Sequence, residues 1–205
     1  MAEAVPLGLL DRSVPIGSHM CAFYAESDGR DEIVLPFLAE GLRSGHKCIA
    51  VLDSVRPAEV LARLDNNGVD ADAAAQTGQL ELDDPAHAYF GSGPPRGEDM
   101  LGYWEHGISA VQASGAFGFI KAMAEMPSGL DHPSGRTEFF RFEAMLNQLC
   151  PAFPQVMLCL RDLERTGAEV MMDTLRTHPV AIMDDVIHAN PYYIEPDTFL
   201  ARIGL

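Results

Sequence analysis

The chain reads as an α/β protein: a mostly parallel sheet covered by helices on both faces. Three observations carry that reading. Apolar runs of strand length alternate along the chain with amphipathic stretches of helical period. The runs are apolar almost throughout, as in strands buried on both faces. No repeat and no interior linker divides the sequence, so residues 16–205 are read as a single domain. Residues 1–15 are read as a flexible arm, because Pro6 and Pro15 oppose regular structure.

Met20 to Ala25 is the first core strand, with Phe23 and Tyr24 adding β-propensity. An acidic turn, Glu26 to Asp31, follows, and Asp31 is a plausible N-cap. Ile33, Val34, Phe37, Leu38, Gly41 and Leu42 then repeat at helical spacing, and Gly45 ends that helix. Lys47 to Asp53 is a strand ending in an acid. Arg56 to Gly68 is a helix with Pro57 in its first turn, and Val69 to Gly78 a short alanine-rich one. Leu80 and Leu82 mark a third strand, and the glycine- and proline-rich stretch 88–97 is a loop beside its end.

Glu98 to Ser114 is a helix carrying the only tryptophan, Trp104. Phe117 to Met126 is a strand ending at Glu125, with a breaker-rich loop through Gly135. Thr137 to Cys150 is a helix that places Glu143 and Asn147 on one face. Gln155 to Leu160 is a strand reaching Arg161 and Asp162, Glu169 to Thr177 a helix stopped by Pro179, Val180 to Val186 a strand, and Pro196 to Ile203 a closing helix.

Composition narrows the function. A formal charge of −16 excludes nucleic acid and anionic membrane as expected partners, since phosphate binding needs a basic face. The four cysteines have no CxxC or other ligand spacing, and the longest apolar runs fall short of a bilayer crossing, so a reduced, cytoplasmic protein is expected. The turn after the first strand is where a phosphate loop would sit in such a βαβ unit. Here it holds one glycine, no lysine and three carboxylates, which repel phosphate oxygens.

Several short motifs then point one way. Gly17-Ser18-His19-x-Cys21-x-x-Tyr24, Ala39-Glu40-Gly41-Leu42, Cys48-Ile49-Ala50-Val51, Gly78-Gln79-Leu80, Ala124-Glu125-Met126 and Phe142-Glu143-Ala144-Met145-Leu146-Asn147 resemble the methanogen/methylotroph DcmR sensory domain, MEDS. Leu158-Cys159, Thr177-His178-Pro179 and Asn190-Pro191-Tyr192-Tyr193 continue the register, over roughly residues 14 to 203. Residues 20–84 also resemble RecA/KaiC-type ATPases without their Gly-Lys-Thr loop, which implies a three-layer fold. The MEDS resemblance implies a sensory domain that binds small hydrocarbon derivatives and no cofactor. Relatives often carry a kinase or DNA-binding domain; this sequence ends at Leu205 without one, so its signal is expected to act in trans on a histidine kinase, an anti-sigma factor or a transcription regulator.

On that basis His19, Cys21, Tyr24, Glu125 and Cys159 are the expected ligand-binding residues. His19 and Cys21 lie two apart on a strand and point the same way. With Cys159 from a neighbouring strand they can share a pocket wall, contacting a carbonyl or alcohol or holding a soft metal, or can serve as plain packing. Three dispersed ligands with no paired spacing do not predict a metal site. Asp53, Glu143, Asn147, Asp162, His178 and Asn190 are expected in supporting polar roles, His178 as a helix C-terminal residue and Asn190 in a turn that docks the tail. Met123, Met126, Met157, Met171 and Met172 are candidate pocket linings or core. No enzyme is expected, because residues two apart on a strand rarely make a nucleophile and its base, and no oxyanion loop is legible. The alternative is a ligand-independent interaction module on the same scaffold.

Overall fold

Lys47–Val51 (β4) has no exposed residue, and strands of this kind make the centre of the molecule. The computed structural model describes residues 3–90, 96–128, 133–183 and 186–204. In it β4 pairs in parallel with Leu80–Asp83 (β5) and with Ile120–Glu125 (β6). Beyond β6 lie Gln155–Asp162 (β7), His19–Tyr24 (β3) and Val180–Met183 (β8), all parallel. Val186–Ala189 (β9) closes the edge antiparallel to β8, giving the order β5-β4-β6-β7-β3-β8-β9.

Glu26–Arg43 (α1), Pro57–Asn66 (α2) and Ala71–Gln76 (α3) cover one face. Their core joins Val34, Phe37, Leu38 and Leu64 to Met20, Ala22, Met123, Leu158 and Leu160 of the sheet. Gly97–Ser114 (α5), Pro133–Leu149 (α6) and Pro196–Arg202 (α8) cover the other, packing Trp104, Phe142, Leu146 and Phe199 on Ile49, Ala122 and Met157. Ala168–Thr177 (α7) lies on that same face, over Cys21 and Ala181. Pro85–Ala88 (α4) is a single turn after β5. The result is the three-layer, mostly parallel α/β sheet expected, with helices on both faces.

Four local differences have physical causes. The segment expected to be a flexible arm is a hairpin of Ala4–Pro6 (β1) and Ser13–Pro15 (β2), whose Val5, Leu7, Leu9 and Val14 are buried in the α1 face. Its prolines sit at strand ends, where the missing N–H is not needed. Helix α1 starts at Glu26 rather than after Asp31, because Glu26 and Asp28 suit the positive end of the helix dipole. Asp31 is thus inside the helix, paired with Arg30 and Arg63. Residues 180–186 are not one strand: the chain turns back to make β9. The loop at 88–97 and the breaker-rich loop before α6 fall partly outside the described residues, at 91–95 and 129–132.

Candidate functional site

Strand β3 alternates, and that decides which of the expected residues meet. Met20, Ala22 and Tyr24 face α1; His19, Cys21 and Phe23 face α6 and α7. Tyr24 and His19 also sit at opposite ends of β3, roughly 16 Å apart at ~3.3 Å per residue. The expected ligand-binding residues therefore do not share one pocket: Tyr24 and Glu125 meet in one cluster, His19 and Cys159 in another, and Cys21 packs on Leu175 and Ala181. His19, Cys21 and Cys159 are 1% exposed or less, and none of them lines the clefts found among the described residues.

The first cluster closes the carboxyl ends of the strands. The Tyr24 hydroxyl donates to Glu125 Oε1. Glu125 Oε2 accepts from the backbone N–H groups of Asp53 (2.7 Å) and Ser54 (2.8 Å). Burial, and then the adjacent Glu125 carboxylate, push the Tyr24 phenol up, so it remains a donor. Asp53 Oδ2 in turn accepts from the Ser128 N–H at 3.0 Å. Glu125 is thus engaged on both oxygens and ties together the ends of β3, β4 and β6. Asp162 holds its own turn, accepting from the Glu164 N–H at 2.9 Å.

Beside this closure lies a cleft of about 670 Å³. Its walls are Glu125 to Ser128 after β6, Asp162 at the end of β7, Arg165 to Val170 leading into α7, and Arg136 on α6. Arg136 stands 3.8 Å from Glu169 and Arg165 stands 3.6 Å from Asp53, beyond hydrogen-bond distance. Met126 lines the cleft; Met123 and Met157 are core residues on opposite faces of the sheet.

The second cluster is sealed between β3, β7, α6 and α7. His19 Nε2 lies 3.4 Å from Cys159 Sγ and 3.3 Å from Glu143 Oε2; His178 Nε2 lies 3.0 Å from the same oxygen. The two imidazoles stand 4.1 Å apart, centre to centre. Glu143 Oε1 accepts from Arg161 at 2.6 Å, and Arg161 also donates to Thr174 Oγ1 (3.0 Å) and Leu160 O (2.9 Å) over the Phe139 ring. Burial would raise the Glu143 carboxyl, but Arg161 and His178 outweigh it and hold it well below the usual carboxylate range. Burial, then His19, lower His178 to about 4, while burial lifts the Cys159 thiol far above its ordinary value.

The supporting residues fall around this cluster. Asn147, one turn from Glu143, donates to Thr177 O at 2.7 Å and accepts from His19 Nδ1 at 3.1 Å. His178 is the C-cap residue of α7 and a wholly buried member of the cluster. Asn190 donates to Leu175 O (2.5 Å) and His178 O (2.7 Å) and accepts from the Tyr192 N–H, so it clips the tail to α7. Cys21 packs on Leu175 and Ala181, with only a 3.8 Å contact to Val180 O. Arg161 is the residue the sequence reading passed over. An arginine in the sheet-facing register of an apolar strand is itself a signal, because such a charge needs a buried counter-ion.

Comparisons with known proteins agree with this architecture. A KaiC-like protein from the hyperthermophilic archaeon Pyrococcus horikoshii superposes with a TM-score of 0.63 at 12% identity, covering 88% of this chain and 80% of that one, which shows a shared RecA/KaiC-type fold. The transcriptional repressor DcmR of Methylorubrum extorquens is 26% identical over 161 residues, 78% of this chain. The match spans 57% of the repressor, a little over half its length. The family model for the methanogen/methylotroph, DcmR sensory domain matches residues 18–179. The chain therefore belongs to the MEDS family of sensory domains.

Proposed function

We propose that this sensory domain takes a small oxygenated organic molecule (an alcohol, aldehyde, ketone or carboxylic acid) in the cleft after β6 and β7. Its state then passes in trans to a signalling partner: a histidine kinase, an anti-sigma factor or a transcription regulator. The observation that carries this reading is the cleft's position. In open α/β sheets ligands bind outside the carboxyl ends of the strands, and about 670 Å³ suits a small molecule. Met126 and Val170 offer an apolar wall, and the loosely held guanidinium groups of Arg136 and Arg165 offer donors to a carbonyl or carboxylate oxygen. Only Ala25 separates β3 from α1, which leaves little backbone to wrap a triphosphate. The family and the repressor relative support a regulatory output.

The test is a thermal-shift panel of short alcohols, aldehydes, ketones and carboxylates, with ATP alongside. At least one small compound is expected to raise Tm by several degrees at saturation, with ATP inert. Arg165→Ala, at a half-exposed position, is expected to fold normally and lose the shift. A panel without any stabilising compound overturns the reading. The sealed interior around His19 and the closed Tyr24–Glu125 contact favour the alternative, a ligand-independent interaction module. Its mark is a partner whose affinity ignores every compound in the panel.

A further inference from the structure

We propose that His19, Glu143, Cys159 and His178 form a closed tetrahedral site for a divalent transition-metal cation of the zinc class. The four candidate ligand atoms all lie within 4.8 Å of one another, and all four residues are buried. Zinc bonds of ~2.0–2.3 Å to nitrogen, oxygen and thiolate sulfur make a tetrahedron with edges of roughly 3.3–3.6 Å. Three of the six edges here measure 3.0, 3.3 and 3.4 Å, and the others are at most 4.8 Å.

The hydrogen bonds outside the cluster decide where the protons are. Asn147 Nδ2 is turned toward the carbonyl oxygens of Glu143, Ala144 and Thr177, which leaves its Oδ1 to accept from His19 Nδ1. His178 Nδ1 faces Thr174 O at 2.7 Å, and a backbone carbonyl can only accept. Both imidazoles therefore carry a proton on Nδ1, which leaves Nε2 as the atom that each turns inward. The two inward nitrogens meet Glu143 Oε2, and neither that oxygen nor His178 Nε2 has an aligned hydrogen-bond partner. Groups so placed, out of reach of water, need a cation between them, a proton or a metal ion, and a metal ion can bind all of them at once. Outer carbonyl and amide partners that orient ligating histidines are the usual second layer of a metal site.

Glu143 carboxylate and Cys159 thiolate would oppose a divalent cation while Glu143 Oε1 stays paired with the Arg161 guanidinium, which leaves the buried group at a net charge of +1. Two imidazoles, one thiolate and one carboxylate select a borderline-soft tetrahedral ion over calcium or magnesium. Four protein ligands leave no open position, so the ion is structural rather than catalytic. It would pin the last turn of α7 to β3 and β7, while the first turn of α7 lines the cleft. The site is on different residues from that cleft, so each proposal stands or falls alone.

The full chain, made without a histidine tag, is unfolded and refolded with equimolar Co²⁺, because a buried site fills as the fold forms. A folded protein with an intense thiolate-to-cobalt band and tetrahedral visible bands is expected. The charge-transfer band should vanish in Cys159→Ser and persist in Cys21→Ser and Cys48→Ser. Should Cys159→Ser not fold, X-ray absorption of the zinc-loaded natural chain decides: one sulfur and three nitrogen or oxygen neighbours are expected. A folded chain without the cobalt band, a band that survives Cys159→Ser, or any other sulfur count overturns the site.

Discussion

Glu143 has no exposed surface, and its two oxygens face different demands: Oε1 meets a guanidinium and Oε2 meets two imidazoles. Removing its charge strands Arg161, itself wholly buried. Glu143→Gln is expected to cost about 3–5 kcal/mol, the usual cost of breaking one side of a buried pair, measured by urea denaturation. Cys48 shows the opposite case, a buried thiol with a sulfur contact only to backbone carbonyls. Burial lifts its pKa from 9.0 to about 12. Above pH 9 the unfolded chain releases that proton and the folded chain does not, so stability should fall as pH rises from about 9 to 12. A pH series of denaturation midpoints checks this, and Cys48→Ala should lessen the slope, the other buried thiols keeping the rest. At this scale the sequence exposed the residue types but not their meetings. His19 and Cys159 were expected to share a pocket wall and Glu143 and His178 to support it; only side-chain packing showed that all four converge.

Among the elements, the amino-terminal hairpin is where chain and fold depend most closely on each other. Gly8 has a φ of +81°, and a Cβ there would stand 2.3 Å from Pro36 O, a backbone atom that cannot swing away. The preceding residue, Leu7, is wholly buried and its carbonyl accepts from the buried Lys121 ammonium, which also pairs with Glu40. Gly8→Ala should therefore cost about 1–3 kcal/mol, read from the shift in urea midpoint, while the same change at Gly115, whose Cβ would meet open space, costs less. Regular elements were legible wherever period and breakers agreed, as at Pro57 opening α2 and at Trp104 within α5. The hairpin was not, because its three-residue strands are too short for any period to register and gain their stability from Phe37 and Lys121 beneath them.

At the scale of the whole molecule, a formal charge of −16 spread over a folded surface repels itself. Added salt screens that repulsion, so Tm at neutral pH is expected to rise by a few degrees between low ionic strength and about 0.5 M sodium chloride. A flat or falling Tm would show that specific ion pairs outweigh the net field. The helices divide the molecule's chemistry in the same way the sheet does. Tyr24, Asp53 and Glu125 lock the carboxyl edge, and the histidine, carboxylate and thiol cluster lies sealed under α6 and α7.

The sequence by itself determined the α/β class, the family and the residue types available for chemistry, because buried parallel strands and amphipathic helices write their periods locally. The strand period already sets Tyr24 and His19 on opposite faces of β3; only the tertiary structure decided which helices each face meets, and that Arg161 is the counter-ion of Glu143. Which side chains meet depends on strand order and register between segments far apart in the chain, and those are fixed by long-range packing that no local pattern records.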